Sequence, residues 1–352
     1  MAATVAAAVA RVFIADVFAA AGFPAADAAR IGELMTEADL TGADAHGIFR
    51  LPHYIRRFKA GAVNARPSIK VNKTAPATAL VDGDNGMGHL VMSRAAETAI
   101  AIARQNGIAW VGAKRSNHAS TAGIYAEMPV HHGMIGLYGA VANANHMAAW
   151  GGTDLLLGTN PLGIGVPSGS GPLVLDMATT VVSYGTVKKY ALEGRAMPEG
   201  WMVNTATGAS LTDAKRSVEG MLLPIGGYKG AGLAIMLGLL AGVLNGAAFG
   251  RDVIDFNADD TSATNTGHFI CAIDIKRFIE LDAFKTEVDR HMGDLHGSQR
   301  LPGFDAIRLP GERRRACREE RLRDGIPLPD VLKAQLEKLA GEMGVKAIGA
   351  RR

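Results

Sequence analysis

The chain has 352 residues, 48% of them hydrophobic and 20% charged, with 43 glycines and a formal net charge of +3. That composition belongs to a glycine-rich globular protein large enough for two or three packed units, and it excludes a disordered or fibrous chain. So small a net charge gives no ground for a nucleic-acid partner, and two cysteines, Cys271 and Cys317, exclude a disulfide framework and fit a reducing cytoplasm.

The alanine-rich start lacks a basic leader and is interrupted by Arg11 and Asp16. It therefore reads as a helix over about Thr4 to Ala20 rather than as a signal peptide. A second helix is expected over Pro24 to Leu40, where Ala28, Ile31, Leu34, Met35 and Ala38 recur at helical spacing and Arg30, Glu33 and Glu37 fall off that face. Gly22 separates the two as a C-cap, and Pro24 suits a first helical turn. The helical pattern then breaks into Asp44-Ala45-His46-Gly47-Ile48-Phe49-Arg50-Leu51-Pro52-His53-Tyr54. An imidazole and a guanidinium stand four residues apart there, at a glycine turn. A carboxylate-bearing substrate uses both, a planar cation to grip it and a proton donor near its reacting carbon.

Beyond Pro67 a short strand is expected at Ile69 to Val71, then a helix over Met92 to Gln105 closed by Asn106-Gly107. Ile108 to Gly112 reads as a buried strand and Lys114-Arg115-Ser116-Asn117-His118 as a polar loop. A helix from Ser120 or Thr121 to near Gly133 and a strand over Met134 to Ala142 complete an α/β rhythm. From Asn143 the pattern becomes one of short strands at Leu155 to Leu157, Gly163 to Val166 and Leu173 to Asp176. Gly226-Gly227-Tyr228-Lys229-Gly230-Ala231-Gly232 opens a long apolar helix. Gly230 to Phe249 is almost free of polar side chains and about long enough to span a bilayer. Lys229 and Arg251 bracket it, with no basic loop asymmetry and no aromatic belt, so it is expected to be a core helix buried on all sides. Phe269 to Ile275 reads as a strand. The tail from Arg313 reads as a charged, solvated helix in which Glu312, Glu319 and Glu320 balance Arg313-Arg314-Arg315. There is no internal repeat and no flexible linker.

Several residues have the chemistry of a site. Lys229 follows a glycine cluster at a helix start, where free backbone N–H groups and the helix dipole favour a phosphate; a surface lysine on a turn would look the same. No P-loop is present, and no Gly-x-Gly-x-x-Gly follows a strand, which disfavours a standard dinucleotide fold. His118, in a polar loop, is either a cap or surface residue or a proton shuttle beside a bound ring. Asp176-Met177-Ala178-Thr179-Thr180 ends a strand where backbone and acid can meet a ligand, although Asp176 can equally cap a helix. His131, His132 and His146 read as ordinary, Asp259-Asp260 as a solvated turn, and no spacing suits a metal.

These motifs together resemble the malate/L-lactate dehydrogenase family, 2-oxo-acid and cyclic-imine reductases distinct from the Rossmann-fold lactate and malate dehydrogenases. The family includes ureidoglycolate and sulfolactate dehydrogenases and piperideine-2-carboxylate reductases. The likeness runs in order through His46–Tyr54, Asn117-His118, Trp150-Gly151-Gly152, Gly158-Thr159-Asn160-Pro161 and Asp176-Met177-Ala178-Thr179. It continues through Pro198-Glu199-Gly200-Trp201, Gly227-Tyr228-Lys229-Gly230 and Leu309-Pro310-Gly311-Glu312. The resemblance implies hydride transfer between NAD or NADP and C2 of a 2-oxo or 2-hydroxy acid. His46 and His118 match acid/base histidines and Arg50 the carboxylate-binding arginine. Asn143, Asp176, Met177, Ala178, Lys229, Pro310, Gly311 and Glu312 match cofactor contacts. One departure stands out: Ala45 replaces a serine usual before the first histidine, which shifts the expected acid/base role toward His118.

The expected fold is α/β, with a non-Rossmann NAD(P)-binding sheet domain flanked by helices and a helical segment formed by both chain ends. Residues 1–60 with 300–352 are expected to form a helical, dimerisation and substrate-binding region, 61–115 a small α/β region, and 116–299 the NAD(P)-binding domain. The family implies a homodimer acting on a small 2-oxo or 2-hydroxy acid. A cyclic-imine reductase, and a cofactor-binding protein silenced by Ala45, are the alternatives.

Overall fold

A mixed seven-stranded sheet forms the middle of the molecule, and helices are layered on it. In the computed structural model, which describes residues 3–351, the chain runs β1 (Ala3–Val5), α1 (Ala7–Ala20), α2 (Ala25–Leu40), α3 (Leu51–Lys59), β2 (Lys70–Ala75), β3 (Thr78–Asp82), α4 (Gly88–Asn106), β4 (Ile108–Ser116) and α5 (Ala122–Glu127). It continues as β5 (Met134–Ala140), β6 (Met147–Ala148), β7 (Leu155–Leu157), β8 (Leu162–Val166), β9 (Leu173–Met177), α6 (Tyr184–Glu193), β10 (Met202–Asn204), β11 (Gly220–Leu222) and α7 (Tyr228–Ala241). It ends with β12 (Thr266–Asp274), α8 (Leu281–His296), α9 (Glu312–Asp324), β13 (Ile326–Leu328) and α10 (Asp330–Met343).

Seven strands make one mixed sheet in the order β2-β3-β4-β12-β5-β8-β9. Only β3 and β4 pair in parallel; the other neighbours are antiparallel. β12 is buried along almost its whole length, as a central strand covered on both faces should be. The expected 61–115 and 116–299 regions meet inside this sheet through the β4–β12 pairing, so no layer boundary falls at residue 115. β4 also runs on to Ser116, because Lys114 pairs opposite Asp82 and Ser116 opposite Thr266; the polar stretch expected to be a loop is half strand.

Helix α4 and helix α5 cover the face lined by Val81, Val111, Ala113, Tyr138 and Ile270. α5 lies unusually close: a Cβ on Gly163 or Gly165 would stand 2.8 Å and 2.4 Å from the carbonyl oxygens of Ala122 and Ala126. That close approach delivers the start of α5 to the end of β9. A second core joins Phe13, Ile14, Phe18, Ile31, Leu51 and Ile55 to Leu336, Leu339 and Ile348, so the N-terminal helices pack against α10. β1 pairs with β13, and the first helix starts at Ala7 rather than Thr4.

The apolar helix α7 corrects an expectation. Ala234, Leu237 and Ala241 pack toward the sheet, where Leu237 and Ala241 join Val141 and Phe269, but Met236, Leu239, Leu240, Val243 and Leu244 are 39–63% exposed. The segment Tyr228–Asn245 is long and apolar enough to cross a membrane and is 44% buried. It is therefore buried on one face only, because the sheet covers one side and no element among the described residues covers the other.

Candidate active site

The loop after α2 is shaped by one buried carboxylate. Asp39 is 2% exposed and accepts the Ile48 N–H at 2.8 Å. Gly47 passes so near it that a Cβ would stand 1.9 Å from Asp39 Oδ1, which explains the glycine. Desolvation raises the Asp39 carboxyl well above its ordinary value, opposed by the Ile48 hydrogen bond. The residues from Asp44 to Arg50 form two single helical turns that lead into α3. Arg50 is folded back so that Nε donates to the Ala45 carbonyl at 2.8 Å. Asp44 is held from the other side by Arg321 of α9.

His118 follows β4 and enters the same space. Its Nδ1 lies 2.6 Å from the Tyr54 hydroxyl, and the Ser120 N–H points at the same nitrogen from 3.3 Å. A backbone N–H can only donate, so in this geometry Nδ1 accepts and the ring proton belongs on Nε2. The ring is sandwiched between His46 (centroids 5.5 Å apart, 16° between planes) and Phe256 (5.3 Å, 9°). Phe256 also carries the Arg50 guanidinium 5.4 Å above its ring. Burial, and then the charge of Arg50, lower His46 to about 3. Burial, then His46 and Arg50, hold His118 well below its ordinary value. Both are thus neutral imidazoles at neutral pH.

One cavity of about 530 Å³ joins His46, Arg50 and His118 to Asn143, Asp176, Met177 and Ala178. Asn143 Nδ2 donates to Thr266 Oγ1, and its carbonyl accepts from Phe256 N at 3.0 Å. Asp176 is the penultimate residue of β9; its Oδ2 accepts from Gly123 N at 2.9 Å, with Arg314 at 3.7 Å. Burial raises the Asp176 carboxyl, with Arg314 the largest opposing influence. It braces the start of α5 rather than capping a helix that follows it.

The family model described as malate/L-lactate dehydrogenase matches residues 5–337. The chain belongs to the malate/L-lactate dehydrogenase family. A malate dehydrogenase of Pyrococcus abyssi is 36% identical over 349 residues, covering 96% of this chain and 94% of the relative. An L-sulfolactate dehydrogenase of Methanocaldococcus jannaschii is 34% identical, covering 94% of this chain and 95% of its own. The solved malate dehydrogenase of Pyrococcus horikoshii superposes with a TM-score of 0.91 at 32% identity, over 98% of this chain and 97% of that one.

For a malate/L-lactate dehydrogenase family member, the expected residues divide into two groups. His46, Arg50, His118, Asn143, Asp176, Met177 and Ala178 all line the one cavity. Lys229 is exposed on the first turn of α7 and does not line it. Pro310, Gly311 and Glu312 also lie outside: the Pro310 carbonyl accepts from Val174 N at 3.2 Å, and Glu312 bonds Leu309 N and His296. Arg314, one residue pair further, does line the cavity.

Other lining residues escaped sequence reading. His146, read there as ordinary, lines the cavity with its ring stacked on Tyr184 of α6 (centroids 3.7 Å, 19°). Phe256 and Asn257 arrive from the loop before β12, which Arg57, 2% exposed, anchors through the carbonyls of Asp259 and Ser262. No spacing in the sequence signals these. The cavity is continuous from Arg50 to the end of β9 and the histidine pair opens into it, so its lining is compatible with a nicotinamide cofactor.

Proposed function

We propose that the protein is an NAD(P)-dependent oxidoreductase interconverting a 2-oxo acid and a 2-hydroxy acid of the malate, lactate or sulfolactate kind. The observation that supports this most directly is the pair of neutral, stacked histidines beside the buried Arg50 in one cavity. The bound cofactor supplies or removes hydride at C2.

Arg50 has no carboxylate in ion-pair contact, and its terminal nitrogens have no hydrogen bond among the described residues, so they are free to grip the substrate carboxylate in bidentate fashion and turn C2 inward. An anion held there removes part of the positive field that keeps the histidines neutral, which favours protonation of His118. In reduction, His118 Nε2–H donates to the oxygen that gains charge and passes its proton to it. The ring then keeps its proton on Nδ1, and the Tyr54 hydroxyl turns from donor to acceptor. In oxidation the steps run in reverse: with the ring proton on Nδ1 and donated to the Tyr54 oxygen, the Nε2 lone pair takes the hydroxyl proton. His46 shares the field and the stack and polarises the same oxygen.

Asn143, Asp176, Met177 and Ala178 hold the cofactor inside the cavity, with Lys229 and the Pro310-Gly311-Glu312 turn serving its outer part. The 116–299 segment is thus the NAD(P)-binding part, and 1–60 with 300–352 the substrate-binding and dimerisation part. In the homodimer the second copy also covers the exposed apolar row of α7, which belongs to the 116–299 part. The free thiols of Cys271 and Cys317 agree with a cytoplasmic enzyme.

The test follows NADH and NADPH absorbance with pyruvate, oxaloacetate, sulfopyruvate and two cyclic imines. Turnover of a 2-oxo acid is expected, reduced by about a hundredfold or more in H118A and R50A. Unchanged turnover in both variants refutes the assignment. Turnover confined to an imine moves the protein to the cyclic-imine reductases; nicotinamide binding without any turnover leaves the silent reading, for which A45S is the next variant.

A further inference from the structure

Tyr54, whose hydroxyl lies 2.6 Å from His118 Nδ1, does not itself line the cavity. It packs edge-on against His89, with ring centroids 5.8 Å apart. His89 stands in the first turn of α4, which presses on the His118 loop: a Cβ on Gly88 would stand 2.1 Å from the Asn117 carbonyl oxygen and 2.6 Å from that of His118. His89 is 0% exposed, yet neither ring nitrogen has a hydrogen-bond partner among the described residues. The same holds for the hydroxyl of Tyr125 on α5, which is equally buried and feels the Tyr54 hydroxyl. Arg30 of α2 roofs this space. Its Nε donates to Ser93 Oγ at 3.0 Å and its Nη2 to Met128 Sδ at 3.9 Å. Ser93 is one turn past His89 on α4, and Met128 is one turn past Tyr125 at the end of α5, so His89 and Tyr125 lie one turn below the guanidinium on neighbouring helices. The Arg30 charge reaches both of them. Arg30 also pairs with Glu33 at 2.8 Å, where the two side chains are 32% and 55% exposed. A polar line thus leads from His118 Nδ1 through Tyr54, His89 and Tyr125 to solvent at Arg30 and Glu33.

Buried polar atoms without protein partners are satisfied by ordered water, and three of them around one space supply the partners a buried water needs. We propose that His89 and Tyr125 hold water behind Tyr54, and that this line carries protons between His118 Nδ1 and solvent while substrate and cofactor fill the cavity side. This rests on the dehydrogenase reading, in which reduction consumes one proton. Tyr54 passes its hydroxyl proton to Nδ1 and takes one from the water behind it. His89, kept neutral by burial and by Arg30, accepts on one ring nitrogen and donates from the other to refill that water. His118, protonated on both nitrogens, then gives its Nε2 proton to the substrate oxygen. After product leaves, cavity water restores the Nε2 proton and Nδ1 returns its own through Tyr54. Only O–H and N–H bonds change along the line, and one proton is consumed per turnover.

The test compares H89L with wild type in the full-length protein, using the 2-oxo acid that wild type turns over. H89L is expected to lower kcat about tenfold or more at unchanged KM. Proton loading then limits the rate, so the effect of D2O on kcat rises while the effect of deuterating C4 of the reduced nicotinamide falls toward unity. A merely structural displacement of His118 slows the hydride step and raises the second effect instead. H89L within about twofold of wild-type kcat, or a loss that carries a raised C4 isotope effect, overturns the relay. Y125F keeps the ring stacked on Tyr138, centroids 5.1 Å apart, and removes only the hydroxyl, so it tests the water without turnover and without the risk to folding that H89L runs. Loss of a water-held hydroxyl should lower the thermal midpoint by about 1–2 °C; a raised midpoint means a dry space and overturns the relay. A wild type that turns over nothing removes the dehydrogenase reading and the relay with it, whereas an active wild type with an unaffected H89L removes the relay alone.

Discussion

The Tyr54 hydroxyl is one oxygen atom on which the proposed proton transfer depends, and removing it has a calculable effect. Tyr54→Phe keeps the ring, which is 3% exposed and packed edge-on against His89 with centroids 5.8 Å apart. It deletes the partner 2.6 Å from His118 Nδ1. While Nδ1 accepts, the Ser120 N–H at 3.3 Å still serves it, so the resting tautomer is not orphaned. When Nδ1 carries a proton, Ser120 has no lone pair to offer, and a buried N–H is left unsatisfied at a cost of about 1–3 kcal/mol. That cost falls on the protonated imidazole and on the state that takes the substrate proton, so kcat should fall about 5- to 150-fold. KM should change little, because Arg50 is still held by the Ala45 carbonyl. The His118 pKa moves further down, and the pH optimum for 2-oxo-acid reduction moves down with it. The assay is kcat and KM across pH in both directions, with thermal unfolding as a control for folding. A variant within twofold of wild-type kcat and with an unmoved pH profile, or one whose loss lies entirely in KM, refutes the role given to Tyr54.

Gly47→Ala would place a Cβ 1.9 Å from Asp39 Oδ1 and 2.1 Å from its Cγ, forcing a buried carboxylate off the Ile48 N–H. Denaturant unfolding should show a loss of about 2–4 kcal/mol, and a change below 0.5 kcal/mol would contradict the packing argument. Acid sensitivity follows from His89 and His268, 0% and 1% exposed, each lowered to about 3 chiefly by burial. A group with a depressed folded pKa contributes stability that is complete above its unfolded pKa of about 6.5 and is lost as pH falls toward the folded value. Stability should thus decline between pH 6.5 and 5, approaching 1.4 kcal/mol per pH unit for each such histidine; a flat profile there would be inconsistent with it. Leu240→Glu, on the exposed face of α7, should convert a dimer to a monomer in sedimentation, and a wild type that is already monomeric would remove that face from the interface.

What was legible in the sequence was local. The apolar face of α2 and the His46–Arg50 spacing need only a helical period and a turn; that face is buried in the cores, and His46 and Arg50 line the cavity. The strand end at Asp176 was visible for the same reason. His118 was visible as chemistry, but its environment was not: its two stacking partners and its hydroxyl partner come from residues 46, 256 and 54, which sequence order does not connect. Lys114-Arg115 looked like a loop because charge usually marks one, yet Arg115 pairs with Asp82 and Asp84 at the solvent end of the neighbouring strand. The apolar run of α7 announced burial without saying by what, and a chain read alone cannot separate its own core from a face covered by another surface. Lys229 carried a phosphate-binding pattern, but its place relative to the cavity depends on where α7 docks.

Ala45 shows how such a local departure acquires meaning from its neighbours. The contact that fixes Arg50 is made by the Ala45 carbonyl, so it survives any side chain at this position. The orientation of His118 comes from Tyr54 and Ser120, so the missing hydroxyl leaves the acid/base group supported. What the small side chain does change is the approach of α6. A Cβ on Gly185 would meet Ala45 Cβ at 2.8 Å, so an alanine and a glycine together let the start of α6 lie directly against the His46 loop. Tyr184 and Lys188 ride on that same helix, one stacked on His146 and the other held by Asn257. The substitution therefore acts on the wall of the cavity that α6 forms, and leaves intact the carboxylate grip and proton path proposed for the reaction at C2.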